Sequence, residues 1–284
     1  MMKKILITGS TGFIGRILVP ELSKKYKVIC FVRNESKLNY LRGLGVSIIV
    51  GDLLEKESIL SSLDGVNVVI HLATSHKNGK KEDFSMTKNL IEACEKRNIK
   101  RIIFLSSMAS KRKNLDEYGK IKLNIENCFK KSELDYTILR PTVIYNNENL
   151  SLIGTSLKAI PLIIPIIGNG KYKLNPVHIA DVIKVVVESI KNDKSIRKEY
   201  DLSGGENISF NEIVNICKER FHIKKLVVHV PLFLSICFFK LFPIVSVEAI
   251  KGINESSNAD ITSLKKELKV YPITFREGIK HVNI

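Results

Sequence analysis

The chain has 284 residues, of which 44% are hydrophobic and 26% charged. This composition excludes a collagen-like or intrinsically disordered protein and predicts one large ordered core. The formal net charge is +16, but the basic residues are scattered and no nucleic-acid-binding motif accompanies them, so we expect no nucleic-acid partner.

The five cysteines form no Cys-x-x-Cys pair, so the sequence indicates neither a metal site nor a disulfide framework. Because the first apolar run begins near Lys4, no signal peptide is predicted and we expect a cytoplasmic protein.

The first half of the chain alternates short apolar, β-branched runs with segments of helical length. Such runs are typical of strands buried on both faces of a parallel sheet. The pattern predicts an α/β protein, a Rossmann-type doubly wound parallel sheet with a small, mostly helical C-terminal lobe. The predicted strands are KKILITG, KVICFVR, VSIIVGD, VNVVIHLA, RIIFLSS and YTILRP, with a further one at KEYDLSG and one in the lobe at KKLVVHV.

A glycine-rich loop follows the first predicted strand. Residues 5–15 read ILITGSTGFIG, so an apolar strand comes directly before the glycines and an apolar helical pattern directly after them. Glycines allow the backbone of such a loop to approach a pyrophosphate, and the free N–H groups of the helix N-terminus bind it. We therefore predict a dinucleotide site. Its candidate contacts in this loop are Gly9, Thr11, Gly12, Phe13, Ile14 and Gly15.

The Gly-x-x-Gly-x-x-Gly spacing in TGSTGFIG resembles the short-chain dehydrogenase/reductase superfamily, in particular its extended and atypical branches. The resemblance covers most of the chain and is loose beyond about residue 205. It implies an NAD(P) cofactor on a Rossmann fold. The similar proteins include NAD-dependent epimerases and dehydratases, NAD(P)-binding regulators of nitrogen metabolism and an accessory subunit of respiratory complex I.

The end of the second strand predicts which dinucleotide is bound. It reads FVRNESK, with Arg33 where an acid would contact the ribose 2′-hydroxyl of NAD, and Glu35 comes later. A guanidinium suits a 2′-phosphate, so we expect NADP in preference to NAD. The resemblance also assigns Asp52 and Leu53 to the adenine pocket, although Asp52 is equally typical of a helix N-cap. It assigns backbone contacts near the nicotinamide ribose to Leu72, Ala73 and Thr74.

Tyr118 and Lys122 form a Tyr-x-x-x-Lys motif, which puts both side chains on one face of a helix. The motif follows the strand that ends in Ser106 and Ser107, and this order resembles the Ser-Tyr-Lys triad of the superfamily. The resemblance implies that Ser107 binds the substrate oxygen and Tyr118 exchanges a proton with it. Lys122 would hold the nicotinamide ribose, and its charge is expected to lower the pKa of Tyr118.

After the segment Arg140-Pro141-Thr142-Val143 the strand–helix alternation weakens. The resemblance places Pro141 and Val143 against the nicotinamide carboxamide. We predict an NAD(P)-binding Rossmann domain over residues 1–150, which also receives about 174–205. Residues 151–173 and 206–284 are predicted to form a small substrate-binding lobe. The lobe contains the apolar stretch Leu226 to Val247, which prolines and a lysine interrupt, so a peripheral membrane or protein contact is favoured over a membrane span.

Two functions fit these features. The first is an NAD(P)-dependent oxidoreductase, epimerase or dehydratase that transfers hydride at a carbonyl or secondary alcohol of a small molecule, with a sugar nucleotide or an apolar compound as substrate. The alternative is a non-catalytic NADP(H)-binding redox sensor or assembly subunit. The short gap between Ser107 and Tyr118, and Asp83 near the position of an asparagine that supports the site in similar enzymes, are departures from the first. The oligomeric state is expected to be monomer or homodimer.

Overall fold

The computed structural model describes residues 2–34, 39–75, 80–147, 160–235 and 259–282, together with Leu150 and Leu157. Its strands are β1 Lys4–Thr8, β2 Lys27–Val32, β3 Ser47–Val50, β4 Val68–His71, β5 Arg101–Leu105, β6 Asp135–Pro141, β7 Ile144–Tyr145, β8 Ile163–Ile167, β9 Val177–His178, β10 Lys198–Leu202 and β11 Leu226–Val230. Its helices are α1 Gly15–Ser23, α2 Lys56–Ser62, α3 Lys80–Lys96, α4 Glu117–Lys131, α5 Ile179–Lys191, α6 Phe210–Arg220 and α7 Phe275–Gly278. Short 3₁₀ turns lie at Met108–Lys111, Asp193–Ser195 and Ile279–His281, and a π-helical turn lies at Leu264–Leu268.

Seven of these strands form one parallel sheet in the order β10-β6-β5-β4-β1-β2-β3. Each corresponds to a segment predicted as a strand from the sequence. One face of the sheet packs against α1 and α5 and the other against α2, α3 and α4, in two separate apolar cores. The predicted doubly wound Rossmann-type fold is thus confirmed, and the physical reason is that strands buried on both faces must be apolar throughout.

A third core belongs to the C-terminal part of the chain. It joins α6, α7 and a two-stranded parallel sheet of β8 and β11, around Tyr145, Phe210 and Phe275. Strand β11 confirms the prediction at KKLVVHV. Strand β8 was not predicted. Pro161 comes before it and Pro165 lies within it, and prolines are typical of loops and edge strands. The division of the chain into two domains stays a prediction.

The apolar stretch from Leu226 to Val247 is described only as far as Ser235, so its remainder lies outside the described residues. Within the described part, Leu226 and Phe233 are 71% and 64% exposed. No helix among the described residues has the length and apolar character needed to cross a bilayer.

Parallel pairing determines where the site lies. All seven strands of the main sheet run in one direction, so their carboxyl ends meet at the same edge. The segments that follow β1, β2, β3, β4, β5 and β6 carry the site residues that the sequence predicted.

Candidate functional site

The phosphate loop joins β1 to α1. Gly9 has φ +71°, and a Cβ at this position would lie 2.6 Å from the backbone nitrogen of Ala73. The Gly12 amide donates to the Gly9 carbonyl at 3.0 Å, which closes the turn. Helix α1 begins after Ile14, which has no side-chain cap. The first-turn N–H groups therefore suit an anionic pyrophosphate, and the cradle fits a dinucleotide.

The remaining loop residues lie at the surface of this cradle. Phe13 is 42% exposed, and Thr11 and Ile14 are half-buried. Tyr40 closes the loop from the side: its hydroxyl donates to the Ser10 carbonyl, and its ring lies 5.6 Å from the Arg16 guanidinium. Burial raises the pKa of Tyr40 to about 12, so it is a fixed donor at neutral pH.

The adenosine side of the predicted site consists of the residues after β2 and β3. Arg33 directly follows β2 and is exposed, while Glu35 lies outside the described residues. Asp52 is half-buried and accepts the Leu54 amide at 2.9 Å. The N-cap of α2 is Glu55, so Asp52 caps the turn before the helix and is not its N-cap. Leu53 is buried at 6% exposure.

The segment after β4 is held from two sides. The Leu72 amide donates to the Thr8 carbonyl at 3.2 Å, and the Thr74 hydroxyl donates to Asp83 Oδ2 at 2.6 Å. His71 contacts Thr8 and Thr87 through its two ring nitrogens, at 2.7 and 3.0 Å. Burial, with a smaller contribution from the Lys122 charge, lowers the pKa of His71 to about 3. His71 is therefore a neutral packing residue below the cofactor segment.

Tyr118 and Ser107 meet because the chain between them is compact. Ser107 is the N-cap of the 3₁₀ turn Met108–Lys111 and accepts the Ala109 amide at 3.2 Å. Helix α4 packs onto this turn at Gly119, where a Cβ would lie 2.5 Å from the Ala109 carbonyl oxygen. The Ser107 side chain interacts with the Tyr118 phenol and lowers its pKa. The short gap between them in sequence is thus compatible with contact between their side chains.

Lys122 lies one turn further along α4 and is buried. Its ammonium is 5.5 Å from the centre of the Tyr118 ring and 3.4 Å from Asp83 Oδ2. Burial lowers the pKa of Lys122, and the Asp83 charge acts in the opposite direction. The pKa of Tyr118 is raised, chiefly by burial and further by Asp83 and Asp116, although the Ser107 hydrogen bond and Arg112 lower it. The lowered pKa expected for Tyr118 from the adjacent Lys122 is therefore wrong, chiefly because the phenol is buried and further because Asp83 lies nearby.

The segment after β6 lies between β9 and β10. The Thr142 amide donates to the Leu202 carbonyl at 2.9 Å, and the Val143 carbonyl accepts the Val177 amide at 2.9 Å. Pro141 is buried and Val143 half-buried. These bonds fix the backbone of the segment at the same edge of the sheet as the phosphate loop.

A buried ionic network supports the serines. Arg140 donates to Glu126 through Nε at 3.0 Å and through a terminal nitrogen at 2.7 Å, and their side chains are 7% and 1% exposed. The same carboxylate accepts from the Ser106 and Ser110 hydroxyls. Ser106 therefore faces the network, which agrees with the choice of Ser107 as the substrate contact.

We expect Arg140→Met to lower the free energy of unfolding by about 3–5 kcal/mol, because it leaves the Glu126 carboxylate buried without its cation. Lys130→Met is the matched control, since it removes a cation that is 37% exposed and pairs with Glu199 at 2.9 Å. Its loss should stay below about 1 kcal/mol. Urea unfolding followed by circular dichroism measures both, and equal losses would contradict this account.

The geometry agrees with the comparisons with known proteins. The model of the NAD(P)H-binding family matches residues 9–193. The chain belongs to this family. Photosystem II assembly factor Ycf39 of Trieres chinensis is 29% identical over 240 residues, which cover 81% of this chain and 73% of that protein. UDP-glucose 4-epimerase of Vibrio cholerae is 27% identical over an alignment of 315 positions, which covers 99% of this chain and 94% of that protein.

A solved structure shows the same fold. The crystal structure of UDP-glucose 4-epimerase from Thermotoga maritima with UDP-glucose has a TM-score of 0.79 and 20% identity, covering 98% of this chain and 97% of that one. The predicted resemblance to the extended and atypical short-chain dehydrogenases is confirmed. The chain has an NAD(P)H-binding domain, as the phosphate loop predicted. The individual site residues and their roles stay predictions.

Two functional contacts were not predicted from the sequence. The sequence marked Asp83 as a departure but gave no sign that it pairs with Lys122, which is 39 residues away. The contact between Glu126 and Arg140 was also missed. The signal that could have indicated the second contact is Glu126, a charged residue on the face of α4 that packs on the sheet. Charged residues are almost never buried unless they are paired.

Proposed function

We propose that the chain is an NADP-preferring oxidoreductase of the short-chain dehydrogenase type, acting at a carbonyl or secondary alcohol. Ser107 binds the substrate oxygen, Tyr118 exchanges a proton with it, and Lys122 holds the nicotinamide ribose. A nicotinamide dinucleotide, when bound there, would supply the hydride chemistry. The contact of Ser107 with Tyr118, with Lys122 one helical turn away, carries this proposal.

The proposal includes the predicted cofactor contacts. The phosphate loop binds the pyrophosphate, Asp52 and Leu53 line the adenine pocket, and Arg33 meets the 2′-phosphate. The backbone near the nicotinamide is supplied by Leu72, Ala73, Thr74, Pro141 and Val143. Residues 151–173 and 206–284 select the substrate, and a cytoplasmic location suits such an enzyme.

The experiment that tests this function has two steps. Calorimetric titration with NADPH and NADH measures cofactor binding, and loss of NADPH fluorescence is then followed with a panel of aldehydes, ketones and nucleotide sugars. We expect tight NADPH binding and NADPH oxidation with at least one carbonyl compound. Tight binding without oxidation across the panel would contradict the enzymatic proposal and favour the second function below.

We expect Arg33→Ala to weaken NADPH binding about tenfold or more and to leave NADH binding nearly unchanged. The reason is that charge-assisted hydrogen bonds to a phosphate contribute about 1.5–3 kcal/mol. Arg97→Ala is the control for the change in net charge, because Arg97 lies beyond the C-terminus of α3 and pairs with Asp64 at 3.4 Å. Calorimetry on both variants checks the prediction, and an equal loss of NADH affinity in Arg33→Ala would overturn the role of Arg33.

A second candidate function is a non-catalytic NADP(H)-binding subunit that docks on another protein. The specific observation that favours it is the 29% identity to a protein named as a photosystem II assembly factor. This function predicts stable co-purification with a partner and no hydride exchange. A monodisperse chain that oxidises NADPH without a partner would exclude it.

A further inference from the structure

Asp83 forms a buried ion pair inside the candidate site. Its Oδ2 atom lies 3.4 Å from Lys122 Nζ, and both side chains are 4% exposed. The same oxygen accepts the Thr74 hydroxyl at 2.6 Å, and Oδ1 accepts the Ser75 amide at 2.6 Å. Both carboxylate oxygens are therefore held, and a buried pair of this kind is only weakly screened by salt. The contacts are those of an ionised carboxylate, which accepts hydrogen bonds at both oxygens.

The ion pair changes the charge that Tyr118 experiences. An unpaired ammonium beside a phenol favours the phenolate, but a carboxylate bound to that ammonium cancels most of its field. The charges of Asp83 on α3, Asp116 at the start of α4 and Arg112 after the 3₁₀ turn act on the pKa of Tyr118. The Lys122 ammonium lies 5.5 Å from the centre of the Tyr118 ring. Arg112 and Asp116 are themselves paired at 3.7 Å. Each cation near Tyr118 in this set thus has a carboxylate partner.

We propose that Asp83 neutralises Lys122, so that Tyr118 keeps its proton and the site donates a proton to the oxygen of an aldehyde or ketone. This inference rests on the proposed function and specifies its substrate class and direction. The phenolic proton of Tyr118 moves to the carbonyl oxygen while the carbonyl carbon takes up a hydride from a reduced nicotinamide. The products are an alcohol, an oxidised nicotinamide and a phenolate, which regains its proton from water.

A tyrosine that keeps its proton suits a reaction that begins with carbonyl reduction better than one that begins by oxidising a hydroxyl. An epimerase reaction that begins by oxidising a sugar hydroxyl requires a group that removes a proton at neutral pH. A tyrosine whose pKa is raised above its ordinary value of about 10 is a poor base and remains available as an acid. Asp83 acts on Tyr118 through Lys122 and through its own charge, so it is a positioning residue.

The test is a titration of Tyr118 by the ultraviolet absorbance of its phenolate. The spectrum of Tyr118→Phe is subtracted from that of the unchanged chain, which isolates one of the eight tyrosines. The titration is repeated with Asp83→Asn, with and without Tyr118→Phe. We expect Tyr118 to titrate above pH ~10 in the unchanged chain and about one unit or more lower with Asp83→Asn, because an adjacent anion has been removed.

Glu82→Gln is the matched control. It removes one negative charge from the neighbouring position of α3, where Glu82 accepts the Ser75 hydroxyl at 2.8 Å. We expect no change in the titration of Tyr118. Circular dichroism and calorimetry with NADPH identify the pH range and the variants in which the chain is folded.

Several outcomes would overturn the inference. The first is titration of Tyr118 at or below pH ~10 in the unchanged chain. This outcome can be observed without any Asp83 variant. Another is an equal shift in Asp83→Asn and Glu82→Gln, and a third is faster alcohol oxidation than carbonyl reduction at neutral pH. The titration requires no substrate, so its failure is distinguishable from an absence of NADPH oxidation, which would contradict the proposed function itself.

Discussion

We expect Tyr118→Phe to lower turnover by about 10²–10⁴-fold, the usual contribution of a general acid or base, and to leave NADPH affinity nearly unchanged. The phenylalanine ring preserves the contact with the Lys122 ammonium, which lies 5.5 Å from the centre of the Tyr118 ring. It removes only the hydroxyl that bonds Ser107. Steady-state NADPH oxidation and calorimetric titration of the same preparation provide the two readouts.

The control for this variant is Tyr271→Phe. Tyr271 is 62% exposed and comes after the π-helical turn at Leu264–Leu268, so the same chemical change is made outside the candidate site. Its turnover should match that of the unchanged chain. Persistence of turnover in Tyr118→Phe would mean that another group transfers the proton, and the assigned mechanism would be wrong.

We expect Gly9→Ala to abolish measurable NADPH binding and to destabilise the fold. The alanine would have to adopt φ near +71°, which costs about 1–2 kcal/mol, and its Cβ would lie 2.6 Å from the Ala73 backbone nitrogen. A second backbone atom, the carbonyl carbon of Leu72, would lie 2.7 Å from the same Cβ. Since neither backbone atom can rotate away, the phosphate loop would have to move from the segment after β4. The pyrophosphate and nicotinamide parts of the predicted site are then both displaced.

Gly45→Ala separates the two causes. Gly45 has a similar φ of +66°, but a Cβ there meets no atom within 4 Å. The Gly45→Ala variant should therefore be destabilised only by the cost of the positive φ, and it should retain NADPH binding. Thermal unfolding and calorimetry on both variants check the prediction, and equal effects in the two would show that close packing against the segment after β4 is unimportant.

The main sheet could be predicted from the sequence because most of its strands are short, apolar, β-branched runs that alternate with segments of helical length. The runs at β1 to β6 and at β10 each match a strand of the sheet. Strand β8 could not be predicted in this way, since Pro165 within IIPII opposed the assignment. It forms because it pairs with β11 and buries Ile164 and Ile166 in the third core, which is a long-range effect.

The candidate site was predictable only where its residues follow a strand or share a helical face. The phosphate loop and the Tyr118 and Lys122 pair are of this kind, because their geometry depends on a few neighbouring residues. The contacts of Lys122 with Asp83 and of Arg140 with Glu126 join different elements. Sequence spacing carries no information about them or about the burial of Tyr118, and burial is the main reason that its pKa is raised and not lowered.

The sequence by itself thus determined the Rossmann-type sheet, the phosphate loop and the order of Ser107, Tyr118 and Lys122, since each depends on local pattern and on the common edge of parallel strands. The tertiary structure alone decided which charges are buried together. It placed the Asp83 carboxylate against Lys122 and buried the Tyr118 phenol, and burial, with a smaller contribution from the Asp83 charge, raises the pKa of Tyr118.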